Sequence, residues 1–162
     1  MSQNTSSINP PTLFICTTCG SDRSVSKDNR CGKKLFHALI KIKEEQGFPA
    51  RIQPVNCFGG CNHPCAIGFA QYHKITYIYG NIPIKPALID DTIAQIRTYA
   101  HQYAASKTGY IPSTDKPGLF KNVLMRVPDS NWQSTTGIVT ERLADPDDEI
   151  TPENAILQQA DG

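Results

Sequence analysis

The sequence has no apolar run approaching the roughly 18 residues that a membrane-spanning helix needs, and its mean hydropathy is −0.36. No membrane partner is expected. Residues 1–12 are polar and carry two prolines. They lack the basic and apolar regions of a secretory signal. A cytoplasmic, reducing setting is therefore expected, one in which disulfides rarely persist. No Ser-His-Asp order, phosphate loop or HExxH pattern is present, so the common hydrolase, nucleotide-binding and zinc-protease signatures are missing. Internal repeats are also lacking. Arg23, Lys27, Arg30, Lys33 and Lys34 form a basic cluster, but no aromatics are interleaved with them, and nucleic acid is not the expected partner.

What remains is a chain of 162 residues with six cysteines. That length suffices for one domain with a real core. The net charge of +1 conceals a split: 15 basic against 8 acidic residues up to position 140, then 1 against 7 from Glu141 onward. A basic body followed by an acidic tail suggests an acidic partner for the body, or shielding of one by the other.

Hydrophobic spacing gives the element order. Leu13-Phe14-Ile15 reads as a buried strand ending at Cys16, and residues 17–30, rich in Ser, Asp, Asn and Gly, read as loop. Leu35, Phe36, Leu39, Ile40 and Ile42 fall at helical spacing over residues 33–46, and Gly47 and Pro49 stop that helix. Residues 51–55 read as a second strand near a sheet edge, because Pro54 cannot donate to a ladder. Residues 66–70 and 75–79 read as a hairpin. Ile89, Ile93, Ile96, Ala100 and Tyr103 predict a second amphipathic helix over about 86–105. The order β-α-β-β-β-α matches an α/β, thioredoxin-like sheet covered by two helices. The expected organisation is a disordered lead-in at 1–11, a domain at 12–128 whose last twenty or so residues are mostly irregular, and a largely disordered acidic tail at 129–162.

Cysteine is where the chemistry concentrates. Cys16 and Cys19 form a C-x2-C directly after the first strand. Cys57, Cys61 and Cys65 form a C-x3-C-x3-C after the second, and Cys31 stands alone before the first helix. Two distant cysteine clusters in a reducing compartment are what four thiolates need to close round one centre. Gly59 and Gly60 allow the main chain to bend and turn N–H donors toward sulfur. A dithiol-disulfide oxidoreductase is the rival suggested by C-x-x-C. However, Cys19 is followed by more than ten loop residues, which suits a ligand better than a helix-activated nucleophile. Zinc held by four thiolates is the stronger rival. His63, inside the second cysteine loop, is a further candidate ligand for zinc or one iron. His37, His73 and His101 have no partner pattern.

The segments Leu13-Phe14-Ile15-Cys16-Thr17-Thr18-Cys19, Pro54 to Cys65 and Lys74 to Gly80, with Lys121 to Pro128, resemble the DUF1636 family of predicted metal-binding proteins. That family in turn is similar to the thioredoxin-like [2Fe–2S] ferredoxins. The resemblance implies a [2Fe–2S] cluster with Cys16, Cys19, Cys57 and Cys61 as thiolates. Cys31 stands near where a second ligand falls in some such ferredoxins and is an alternate. Cys65, beyond Pro64, is expected to pack beneath the site or to lend a spare thiolate. The function so implied is one-electron transfer or redox sensing with a redox partner protein, by a carrier and not an enzyme. A homodimer is compatible with it.

Overall fold

Five short strands and two long helices organise residues 9–20, 24 and 26–129, which are the residues that the computed structural model describes. The strands are β1 (Thr12–Cys16), β2 (Arg51–Val55), β3 (Ile67–Ala70), β4 (Thr76–Tyr79) and β5 (Met125–Val127), and the helices are α1 (Cys31–Gln46) and α2 (Ile89–Ala105). They form one sheet in the order β2-β1-β3-β4-β5. β1 and β2 run parallel, and every other pairing is antiparallel. A parallel β-α-β unit followed by an antiparallel hairpin and a closing helix is the thioredoxin-like arrangement expected from the sequence. Pro54 sits in β2, an edge strand, where its missing N–H costs the sheet nothing.

The register shows which face is the core. Leu13 lies beside Ile52 on one side and Phe69 on the other, Ile15 lies beside Ile67, and Ile67 and Phe69 lie beside Tyr79 and Tyr77. All of these side chains are buried, as the two-residue period of a strand requires when one face is covered. α1 supplies buried Leu35 and Leu39. α2 supplies Ile96, Tyr99, Ala100 and Tyr103, a three-and-four spacing that makes one stripe. Arg97 of α2 donates to Gln46 Oε1 at 2.8 Å and so ties the end of α1 to α2.

The core is unusually aromatic. Tyr99 stacks on Phe120 with ring centroids 4.1 Å apart, Phe69 meets Tyr99 edge-on at 5.0 Å, and the Tyr79 and Tyr99 hydroxyls share a hydrogen bond of 2.7 Å. Burial pushes both phenols far above their ordinary value, so they remain neutral donors and acceptors. Each such ring contributes about 1.5–3 kcal/mol through burial.

Helix ends follow local chemistry. Gly47 takes φ +72° after α1, and its N–H donates to Lys43 O at 3.0 Å. The left-handed conformation stops the helix there. α2 begins with Asp90 and Asp91, favourable at a helix N-terminus. Its last carbonyls, Tyr103 O and Ala104 O, accept from the Lys74 ammonium at 2.9 Å each. Burial lowers the Lys74 pKa.

Three features depart from the sequence reading. α1 begins at Cys31, two residues before the expected start, so Cys31 opens the helix and does not precede it. Residues 125–127, within the stretch expected to be irregular, form β5 against β4. Of the expected lead-in, Pro11 is fixed, accepting a hydrogen bond from Arg51 N–H at 2.8 Å, and Asn9 O accepts from Gln71 Nε2 at 2.7 Å. Residues 1–8 and the tail from 130 onward, with the disorder and acidic-partner expectations attached to them, lie outside the described residues. Among the described residues no helix is long and apolar enough to cross a membrane.

Candidate metal centre

Parallel pairing of β1 and β2 puts the C-terminal ends of both strands, and the loops that follow them, at the same edge of the sheet. Cys16 is the last residue of β1, and Cys57 comes two residues after β2. The two loops are tied together by the residues between the first cysteines. Thr17 N–H donates to Val55 O at 2.9 Å, Thr17 Oγ1 to the same oxygen at 3.2 Å, and Thr18 Oγ1 to Asn56 O. The two threonines of the CTTC motif therefore hold the cysteine loops side by side. That role was not drawn from the sequence, although adjacent hydroxyls between two candidate ligands were its signal.

A cleft of about 650 Å³ lies where the loops meet, lined by Cys16, Cys19, Cys57 and Cys61, with Thr18, Gly20, Arg30, Asn62 and Pro64 around them. The sulfurs fall into an inner and an outer pair. Cys16 and Cys19 are buried, with 1% and 6% of their surface exposed. Cys57 and Cys61 are exposed, with their sulfurs 3.9 Å apart. Two thiolates on a tetrahedral metal at about 2.3 Å stand about 3.8 Å from each other, so the outer pair already has ligand spacing. Convergence is limited to pairs: among the described residues no three His, Cys, Asp or Glu side chains stand close enough to hold a single ion.

Backbone donors face the sulfurs. Gly59 N–H donates to Cys57 Sγ at 3.1 Å, with Gly59 at φ +77°, and Ala66 N–H donates to Cys19 Sγ at 3.4 Å. A residue with a Cβ would be strained at that φ, so the glycine is what turns its N–H toward the thiol. Such donors stabilise thiolate charge and tune a centre that the thiolates hold.

The inner pair is electrostatically split. Burial raises the Cys16 thiol, but hydrogen bonds from Cys19, from the Thr18 side chain and backbone and from the Phe58 backbone outweigh it, leaving a net lowering. Burial, the hydrogen bond it gives to Cys16 and repulsion from Cys16 and Cys57 push the Cys19 thiol up to about 12. Metal binding has to displace the protons of this pair.

The remaining candidates are placed elsewhere. Cys31 and Cys65 form a disulfide across 34 residues. This departs from the expectation that none of the cysteines is so bonded, and it ties up both alternate thiols. The spacing of the sequence could not reveal it, because the contact forms only once α1 packs against the loop before β3. Cys65 is buried and lines a neighbouring recess, not the four-cysteine cleft. His63 is exposed and does not line the cleft; its Nδ1 lies 3.2 Å from Asn81 Nδ2. Phe58, between Cys57 and Gly59, rests against the opposite face of the sheet, where a Cβ on Gly68 would come within 3.2 Å of its ring.

A family described as "protein of unknown function (DUF1636)" matches residues 13–129. The chain belongs to the DUF1636 family. No curated protein matches it. Among solved structures, it is similar to a thioredoxin-like [2Fe–2S] ferredoxin from Aquifex aeolicus, with 14% identity, coverage of 77% of this chain and 99% of that one, and a TM-score of 0.44. That likeness is too distant to bear on the centre, which rests on the geometry of this DUF1636 chain itself. The family match spans β1 to β5 and contains both cysteine loops.

Proposed function

We propose that this DUF1636 protein is a cysteine-ligated metal protein that holds a [2Fe–2S] cluster on Cys16, Cys19, Cys57 and Cys61 and acts in one-electron transfer or redox sensing. The observation that carries the reading is the lining of one cleft by two cysteine pairs, one from each loop. Four thiolates are the usual donor set of such a cluster, and two pairs suit a centre with two metals, each taking two sulfurs. The donor chemistry fits: soft sulfur ligands, backbone N–H groups aimed at two of them, and no carboxylate among the described residues that line the cleft. When bound, the cluster would supply a one-electron couple. The chain binds it, keeps the inner pair from water and leaves the outer pair facing solvent, where a redox partner protein can approach.

An acidic partner is the one whose charge complements the basic excess of the body. Among the described residues that line the cleft, Arg30 is the basic one. The rival, a single structural or storage zinc acting through a partner, would need all four sulfurs to close on one ion.

Serine substitutions test the ligand set. Cys19→Ser, Cys57→Ser and Cys61→Ser should each remove or strongly alter the visible absorption of anaerobically purified protein, while Cys31→Ser and Cys65→Ser keep it. An unchanged spectrum in Cys57→Ser, or its loss in Cys31→Ser, would reject the assignment.

A further inference from the structure

The disulfide opens onto a second groove that adjoins the four-cysteine cleft and shares Gly20, Arg30 and Pro64 with it. Cys31 and Cys65 both line a recess of about 560 Å³ together with Arg30, Lys85, Ile82 and Leu88. Its walls combine apolar side chains with two cations, and among the described residues that line it there is no carboxylate. Neither cation is in an ion pair with a described residue. Arg30 Nε is buried without a hydrogen-bond partner. The two sulfurs differ in access: Cys31 is half-buried at the start of α1, whereas Cys65 has 1% of its surface exposed. A disulfide that lines a cationic recess of this size is within reach of small anionic molecules.

We propose that Cys31–Cys65 is a thiol–disulfide exchange site for low-molecular-weight thiols that carry carboxylates. The incoming thiolate attacks Cys31 Sγ, the accessible sulfur. The S–S bond breaks, and Cys65 leaves as a thiolate that takes a proton from solvent. A second thiol of the same kind attacks the mixed disulfide on Cys31, releasing the small-molecule disulfide and the Cys31 thiol. Two small thiols are oxidised to one disulfide and the protein disulfide is reduced to two thiols, so electrons and protons balance. Arg30 and Lys85 attract the carboxylates and bring the thiolate to Cys31. None of the four cysteines of the cleft takes part.

The test uses the full chain, purified in air without reductant, and counts thiols alkylated after acid quenching and unfolding. Four of the six cysteines should react before treatment and six after reduction. Reduced glutathione should open the bond faster than 2-mercaptoethylamine at equal thiolate concentration. Lys85→Glu should lower the glutathione rate, and Lys85→Gln should lower it less, by roughly two- to fivefold per unit charge, the range expected of an exposed ion pair. Lys85→Glu should raise the mercaptoethylamine rate. In Cys65→Ser, oxidised glutathione should leave a mixed disulfide on the peptide containing Cys31, formed more slowly when Lys85→Glu is added. Six reactive thiols before treatment, equal rates for the two thiols, or rates insensitive to Lys85 would each overturn the proposal. The readout does not depend on metal loading, so failure here leaves the four-cysteine centre untouched, and loss of that centre leaves this site standing.

Discussion

Gly32→Ala is a perturbation whose size follows directly from the structure. Gly32 is the second residue of α1 and packs against the end of β1. A Cβ there would stand 1.7 Å from Cys16 O and 2.9 Å from Cys16 C, with Cys19 Cβ at 3.4 Å. Since Cβ atoms essentially never approach closer than about 3.0 Å, helix and strand must separate by about 1.3 Å, and the atoms in the way are backbone, which cannot rotate aside. Overpacking of this kind costs about 1–3 kcal/mol, and a rigid backbone obstacle puts this site at the upper end. With a urea dependence of about 1–3 kcal/mol per molar, the unfolding midpoint should fall by about 1 M or more. The shift also moves Cys16 and Cys19, so metal content should fall with stability. Gly60→Ala, whose Cβ meets nothing within 4 Å, is the control and should leave the midpoint within a few tenths of a molar. Equal midpoints for Gly32→Ala and the native chain would refute the claim that close contact between α1 and β1 builds the site.

Other outcomes follow from the same coordinates. Tyr99→Phe leaves the Tyr79 hydroxyl buried without its 2.7 Å partner and should cost about 1–3 kcal/mol by chemical denaturation, whereas Tyr79→Phe with Tyr99→Phe together should cost less than that single change. Lys74→Met removes the cation that closes the last carbonyls of α2 and should destabilise by about 2–3 kcal/mol; an unchanged midpoint would show that water replaces it. The Cys19 thiol lies above its unfolded value, so the stability it contributes to metal-free protein is present below about pH 9 and is lost as pH rises toward about 12. Thermal melts across that range should show the loss in metal-free protein and not in loaded protein, where the proton has already left. A pH-independent melt of metal-free protein would contradict the split of the inner pair.

Much of the scaffold was legible because periodicity is local. Leu35 and Leu39, and Ile96, Ala100 and Tyr103, were placed on core faces from spacing alone, and Pro54 marked β2 as an edge strand. β5 was not legible: Met125, Arg126 and Val127 are all exposed, so no alternation of buried and exposed residues marks them. Tyr99 was not part of the expected α2 stripe, yet it is buried and its hydroxyl finds Tyr79 in the core. In the site, proximity in sequence identified each cysteine pair, and the parallel strands implied that their loops meet. The bond between Cys31 and Cys65 depends on how α1 docks, and no local pattern encodes that. The threonine ties from Thr17 and Thr18 to the end of β2 likewise join residues about forty positions apart.

Iron and acid-labile sulfide, measured on full-length protein purified without oxygen, test the central claim most directly. A [2Fe–2S] centre on the two cysteine pairs predicts two irons and two sulfides per chain, both lost in Cys57→Ser. One zinc per chain with no sulfide would contradict it.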